Sequence, residues 1–347
     1  MAKLSPFNKV VFFINTILAL VTFIAILVPF VPVTAIPALS VLSLIFPLLI
    51  VLNFLFFGYW ILVGKRNFLL SGTLLLFWYF FLGPFFQFSN GNGHEIDGDT
   101  FSIMSFNARS FNDLKQMDVE NVDSLILNFV AQKDPDILCF QECYYAMKRN
   151  NALSQYKYKF VDYVYGKHSG KVIQAIYSKY PIANVDSVDF PNSSNKAIFA
   201  DILFNKDTIR VYNLHLQSFR IVPELNTIKN EQSSRLFAKS RRVMLKQYEQ
   251  VNLVRADMEE NHFKKLVVGD FNNTQYSNVY RTIKGGMQDT FLEKGQGFGR
   301  TYDLLGFPIR IDYILADPEF EVLTHQNFSE KLSDHYPIMA TLRLKAE

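Results

Sequence analysis

Not one aspartate or glutamate occurs in the first 89 residues, and the first acidic side chain is Glu95. Basic residues are almost as scarce there, limited to Lys3, Lys9, Lys65 and Arg66. An ordinary soluble surface is thereby excluded for this part, because globular domains carry about a quarter of their residues as charges. Cysteine is rare too: the chain has two, Cys139 and Cys143. In an extended stretch, at about 3.3 Å per residue, they lie too far apart for a bridge, which needs Cα atoms within roughly 7 Å. We expect Cys139 in a core and leave Cys143 open; neither settles the compartment. No internal repeat or low-complexity tract stands out beyond the apolar stretches.

Apolar residues fill the space the charges vacate. The chain is 49% hydrophobic with 34 phenylalanines, and three runs, residues 10–28, 38–63 and 68–88, are long enough to cross a hydrocarbon core as helices, which takes about 20 residues. Pro29, Pro32 and Pro37 punctuate the first gap and Gly64–Asn67 the second. The basic residues flank the first run and fill the second gap, while the first gap has none, so the positive-inside rule puts the N-terminus inside and everything after Asn90 outside. The alternative, a signal peptide cleaved at Val-Thr-Ala 33–35, leaves the orientation of the other two runs unchanged. A multi-pass cytoplasmic-membrane protein with a periplasmic or extracellular domain is therefore expected. Its parts are a transmembrane region 1–89, a Gly/Asn/Asp-rich linker 90–100 and a domain 101–347.

Removing the four basic residues of the first part leaves 31 Lys and Arg against 32 Asp and Glu. A near-neutral outer domain is unlike a strongly basic nucleic-acid binder. Within it, Val122, Leu125, Ile126, Phe129 and Val130 share a helical face that ends at KDPD, and residues 137–140 read as a buried strand. A second helix is expected over 233–260. Its face of Lys239, Arg241, Arg242 and Lys246 reads either as a contact for phosphates or lipid headgroups or as a solvated surface.

Apolar runs in this domain end in, or enclose, chemistry-bearing side chains: Asn107, Gln141 with Glu142, His215, Asp270 with Asn272, and Asp312. Ligands of α/β sheets bind at the carboxyl ends of strands, so these groups can converge on one cleft. If the strand VVGDFNNT stays extended past Gly269, Asp270 and Asn272 point to one face and Phe271 to the other, with Asn273 a turn residue. Several carboxylates in one cleft require a cation, and a hard, oxygen-liganded Mg²⁺ is the natural partner. Imidazoles beside them, His215 and His335, suit proton transfer. A phosphate ester uses all of these parts.

The ordered elements MSFNARSF, PDILCFQECY, AIYSKYPI, VYNLHLQS, VVGDFNNT, RIDYIL and SDHYPI, spread over residues 102–338, resemble the endonuclease/exonuclease/phosphatase superfamily. That superfamily includes deoxyribonucleases, abasic-site endonucleases, inositol polyphosphate phosphatases and neutral sphingomyelinases. The resemblance implies a two-sheet α/β sandwich flanked by helices and a Mg²⁺-dependent phosphoesterase, with Mn²⁺ an alternative metal. It implies that Glu142 binds the metal with Asn107 assisting metal or phosphate, and that Asp334 lies close to the metal. Asp270 would orient or deprotonate water, Asn272 would bind phosphate, His335 would act on the scissile phosphate with support from Asp312, and His215 would be a second acid/base. Deoxyribonucleases pair that second histidine with a glutamate before AIYS, where this chain has Gln174. Arg310 is read as reaching either phosphate or solvent. The expected substrate is a phosphate ester of nucleic acid or of a phospholipid or sphingolipid headgroup, with the bilayer as partner and no obligate protein partner. The competing reading is a catalytically inactive module that binds phosphorylated ligands or a protein.

Overall fold

The computed structural model describes residues 4–88, 98–113, 117–143, 153–162, 173–219, 233–304 and 306–345. The chain forms two compact units: Met1–Phe85 with Ser233–Tyr248 and Asn273–Arg281, and Phe86–Gln232 with Glu249–Asn272 and Thr282–Glu347.

Apolar helices build the first unit. Helix α1 (Pro6–Leu27) is capped by the Ser5 side chain, which accepts the Asn8 N–H, and starts on a proline whose missing N–H costs nothing there. After a short turn α2 (Pro37–Ser40) comes α3 (Leu42–Leu62), then α4 (Phe68–Leu82). Two apolar segments, Pro6–Phe30 and Leu42–Leu62, are long and apolar enough to cross a membrane by length and composition. The sequence pattern placed a continuous second helix over 38–63 and a third over 68–88. The second instead begins in earnest at Leu42, and the third stops at Leu82 because Gly83 turns to φ +74° and Pro84 offers no N–H. Polar side chains cross-link the helices: Asn53 donates to the Thr22 hydroxyl (2.8 Å), Ser71 to Asn15 (2.9 Å) and Tyr59 to Asn8 (2.6 Å). Residues 273–281 cap one end of them. Thr274 donates to the Ser43 carbonyl, Gln275 to that of Pro84 and Asn278 to that of Pro29, while the Tyr276 ring packs 4.5 Å from Phe46.

The second unit is an α/β sandwich. One sheet contains β1 (Thr100–Asn107), β2 (Ile137–Gln141), β3 (Tyr158–Val161) and β4 (Ala175–Ser178), with the late strands β13 (Phe320–Asn327) and β14 (Ile338–Leu344), in the order β13-β14-β1-β2-β4-β3. The other contains β5 (Ile182–Asp189), β6 (Lys196–Phe204), β7 (Asp207–His215), β8 (Lys264–Asp270), β9 (Gln288–Asp289) and β12 (Asp312–Ala316), in the order β5-β6-β7-β8-β12-β9. A hairpin of β10 (Tyr302–Leu304) and β11 (Phe307–Ile309) stands apart. Both sheets are mixed, each with one parallel pair, β1 with β2 and β7 with β8. Helix α5 (Val122–Lys133) buries Val122, Ile126, Phe129 and Val130 but leaves Leu125 exposed. The remaining helices are α6 (Ser233–Glu260), which matches the expected span, α7 (Asn278–Lys284) and α8 (Thr290–Lys294).

Period two places the site. Between the sheets, Ile103, Ile137, Cys139, Ile209, Val211, Leu266, Val268 and Ile314 form one apolar core. Alternate residues share a face, so the same rows continue into Asn107, Gln141, His215, Asp270 and Asp312, all buried. The inter-sheet layer is therefore apolar through its middle and polar at one end. Cys139 lies in the core as expected, and both cysteines are free and buried.

Candidate active site

Strand register brings the polar row together. Asn107 stands opposite Gln141 across β1 and β2, His215 opposite Asp270 across β7 and β8, and Asp312 opposite Asp270 across β12 and β8. Gly269 makes the β7–β8 approach feasible. It has φ +132°, and a Cβ there would fall 2.0 Å from the Leu214 carbonyl oxygen.

Asp270 is the centre. Its Oδ1 accepts the Asn272 N–H at 2.7 Å, and its Oδ2 accepts the Asn107 amide at 2.9 Å and the Asn272 amide at 3.1 Å. The Nε2 atoms of His215 and His335 each lie 3.7 Å from that same Oδ2, too far for hydrogen bonds, so two imidazoles flank the carboxylate. Burial pushes the Asp270 carboxyl up to about 8, with His335 pulling it down and Asp312 pushing it further up.

His335 is oriented by Asp312, whose Oδ2 is 2.9 Å from Nδ1. Burial disfavours its charge, yet the Asp312 and Asp270 carboxylates outweigh that and raise it to about 10. Asp312 is itself fixed, because the Thr301 hydroxyl accepts the backbone N–H of both Ile311 and Asp312. The Tyr302 ring lies 5.0 Å from the His335 ring. His215 is opposite in character: burial lowers its pKa, only partly countered by Glu142. Among the described residues neither of its ring nitrogens has a hydrogen-bond partner, and Glu142 Oε1 is 3.6 Å from its Nε2.

The structure brings Asn107, Glu142, His215, Asp270, Asn272, Asp312 and His335 to one place. Glu142 Oε1 is 3.5 Å from the Asn107 amide. Three expectations need correction, and Asp334 is placed alongside them. The strand of VVGDFNNT ends at Asp270, and Asn272 turns left-handed (φ +49°) instead of staying extended. Its amide still reaches Asp270, and donates also to the Leu216 carbonyl at 3.0 Å. Asn273 is a buried link, not a plain turn residue, donating to Gln247 at 2.7 Å. Asp334 is ion-paired with Arg109 at 3.1 Å and lies outside the tight carboxylate–imidazole group formed by Asp270, Asp312 and His335. Arg310 does not face solvent: it is buried, its guanidinium is committed to Asp289 at 2.7 Å, and it lies against the rings of Phe291 and Tyr313.

Sequence reading names Gln141 and Gln174 but not Asn213 and Ser105, with which they form a supporting layer. Gln141 donates to Asn213 at 2.6 Å and to Ser105 at 3.2 Å. Asn213 donates to the carbonyls of Phe140 and Ala175, and Gln174 donates to the Asn213 carbonyl at 2.9 Å. The signal was available, since Asn213 is two residues before His215 and Ser105 two before Asn107.

The donor set fits a hard divalent cation. Three carboxylates with an amide oxygen supply suitable ligands, and a cation near Asp270 would draw down a carboxyl that burial otherwise raises. Asp312 is committed to His335, and imidazole is a poor magnesium ligand, so Glu142 with Asn107 is the better holding point than the Asp270, Asp312 and His335 group. Such a site can neutralise phosphoryl charge, accept a proton from water and offer one to a leaving oxygen.

The family model described as "Endonuclease/Exonuclease/phosphatase family" matches residues 104–335. A second, described as a domain of unknown function, matches residues 8–85. No curated protein matches the chain. Among solved structures, an endonuclease/exonuclease/phosphatase family protein from Bacteroides thetaiotaomicron is similar at 18% identity and TM-score 0.55, over 71% of this chain and 98% of that one. A counterpart from Bacteroides vulgatus is similar at 18% and 0.55, over 72% and 100%. D. rerio TDP2, complexed with a single-strand DNA product, is similar at 17% and 0.54, over 71% and 100%. At these identities the likeness is one of fold.

Proposed function

Since the chain belongs to the endonuclease/exonuclease/phosphatase family, whose members are hydrolases of phosphate esters, we propose that it is a membrane-anchored phosphoesterase using Mg²⁺, or Mn²⁺, with its catalytic unit outside the cytoplasmic membrane. The observation that carries the chemistry is Asp270, a buried carboxylate held by two asparagines and flanked by two imidazoles at 3.7 Å.

In this reading Glu142 and Asn107 hold the cation, which supplies charge neutralisation at the phosphoryl oxygens when bound. Asp270 orients the attacking water and accepts its proton. His335, held in its tautomer by Asp312, places a positive charge or a proton at the scissile phosphate. His215 stays neutral because it is buried, leaving a ring nitrogen able to take up a proton. Asn272 turns one amide hydrogen from Asp270 to a phosphoryl oxygen when substrate enters. Asp334 acts through Arg109 at the edge of the site.

The apolar helices support the anchor, and the placement of Lys3, Lys9, Lys65 and Arg66 supports the orientation. Either a nucleic-acid backbone or a lipid headgroup supplies the required phosphate ester, and the near-neutral outer domain leans away from nonspecific nucleic-acid binding. The test is hydrolysis of bis(p-nitrophenyl) phosphate by the full chain in detergent. Substituting alanine at Glu142, Asp270 or His335 is expected to lower kcat/KM by roughly 10²–10⁴-fold, and chelation to abolish turnover. Undiminished turnover by Glu142→Ala would sink the assignment. An absence of Mg²⁺ or Mn²⁺ binding by calorimetry would favour an inactive binding module.

A further inference from the structure

Among the described residues, the second unit leaves four aromatic side chains well exposed: Phe88, Phe263, Phe298 and Phe307. Phe263 immediately precedes β8, at the end of that strand opposite Asp270, but the other three gather beside the site. Phe88 is 82% exposed and packs 5.1 Å from Phe86, which packs 5.0 Å from Phe298. Between the two N-terminal phenylalanines, Gln87 is tied to Gly297 by a reciprocal pair of backbone hydrogen bonds of 2.8 and 2.9 Å, and its side chain donates to the Leu292 carbonyl. Phe307 starts the second strand of the hairpin, and its neighbours Gly306 and Pro308 line a 450 Å³ cavity with Phe298, Arg300 and Asp303.

Water does not favour three exposed phenylalanine rings gathered around the half-buried Phe86, and contiguous apolar patches of this kind mark contact surfaces. The chain itself indicates what covers this one. Phe86 and Phe88 lie four and six residues after Leu82, the end of α4, so at 3.3–3.6 Å per residue they reach at most about 14 and 22 Å from it. Helix α4 has 15 residues and rises about 22 Å against a hydrocarbon core of about 30 Å. A helix that starts at the inner boundary therefore ends short of the outer one, which leaves its aromatic tail at interfacial depth. Aromatic rings concentrate at that depth. Within the first unit the same helix end, at Pro84, is capped by the hydrogen-bonding residues 273–281, as expected of the side that meets water.

We propose that Phe86, Phe88, Phe298 and Phe307 form an interfacial patch that seats the catalytic unit on the outer surface of its own anchoring bilayer, so that the phosphate ester it takes is a lipid headgroup. The patch borders the site directly. Two residues beyond Phe298, the Arg300 guanidinium stacks 4.0 Å over Tyr336, the residue after His335, and Tyr302 packs on His335 itself. The inference rests on the membrane-anchored reading above.

An environment-sensitive fluorophore on single introduced cysteines, in the full chain reconstituted into phosphatidylcholine–phosphatidylglycerol nanodiscs carrying shallow nitroxide lipids, tests the seating without any need for activity. Quenching is expected for Phe88→Cys and Phe298→Cys but not for Leu203→Cys, at the opposite end of the strands. Leu20→Cys, on an exposed face of α1, checks the anchor separately. Quenching at Leu20 but not at 88 and 298 would overturn the patch and leave the anchor standing, whereas loss at all three would overturn the anchor. Self-association that disappears in Phe88→Ser would identify a second copy as the occupant and overturn the proposal. For turnover, Phe88→Ser with Phe298→Ser is expected to lower kcat/KM on lipid phosphate esters in vesicles by about tenfold, as loss of a buried aromatic contact implies. Turnover of soluble bis(p-nitrophenyl) phosphate should stay unchanged. An equal loss on both substrates, or faster turnover of single-stranded DNA than of vesicles, would overturn the lipid assignment.

Discussion

Two side chains of the site, Glu142 and Asn272, sit in the left-handed backbone region, with φ of +49° each. Neither is glycine, and such conformations cost about 1–3 kcal/mol apiece, persisting where surrounding structure over-determines them. Here the Glu142 carbonyl is held by the Ser110 N–H at 2.7 Å, and Asn272 is held by Asp270 and Leu216. The same physics separates what was legible in the sequence from what was not. Period two along strands placed Asn107, His215 and Asp270 at one edge, because extended strands leave no freedom in which face a side chain takes. Asn272 reached the right place by a different backbone, and Asp334 and Arg310 found oppositely charged partners that no local pattern specifies. Asp312 and His335 act as one device, so their effects should not add. Asp312→Asn and His335→Asn are each expected to lower kcat by roughly 10²–10⁴-fold, and the double variant to fall no further than the worse single one. Additive losses on a log scale would show that Asp312 works other than through the imidazole.

At the level of elements, the helix-strand junction beside β9 carries a group whose charge opposes folding. His325 on β13 is buried, and its Nδ1 lies 2.8 Å from the Thr290 hydroxyl at the start of α8, which in turn donates to the Ile314 carbonyl of β12. One ring thus ties α8, β12 and β13. Burial lowers its pKa to about 4, against the pull of Asp289, with Arg310 lowering it further. An unfolded chain takes up the proton near 6.5, so stability is complete above that value and falls as pH drops through the interval down to about 4. The loss approaches about 3 kcal/mol when both limits are passed. Amide exchange of β12–β14 in the full chain should accelerate between pH 6.5 and 4.5 after correction for intrinsic rates, and His325→Gln should remove most of that added dependence. Equal acceleration in the variant would mean that other groups drive the acid lability. The elements themselves were largely readable: the α5 and α6 spans agree with their apolar periodicity. The end of α4 was misread because hydropathy cannot distinguish a helix from an apolar tail released by Gly83 and Pro84.

Across the whole molecule, charge distribution limits what the catalytic unit can hold. Lys and Arg outside the first 89 residues nearly balance Asp and Glu, and several basic side chains are paired with carboxylates: Arg210 with Asp201, Arg310 with Asp289, Arg343 with Glu321, Lys179 with Asp134 and Asp136. A near-neutral unit without a concentrated excess of cations releases few counterions when a polyanion binds. A protein making 6–10 phosphate contacts loses about 10³–10⁵ in affinity between about 50 and 200 mM salt. For this chain the corresponding change in kcat/KM on single-stranded oligonucleotides is expected to stay within about tenfold, the range for one or two contacts. Steady-state kinetics across that salt range, at fixed Mg²⁺, would measure the slope. A steep slope, near that of a many-contact binder, would require a basic track outside the pairs named above and would shift the balance from a headgroup substrate to a nucleic-acid backbone. A shallow one leaves the metal, Asp270 and the two imidazoles to do the recognition, with the bilayer supplying the local concentration that charge does not.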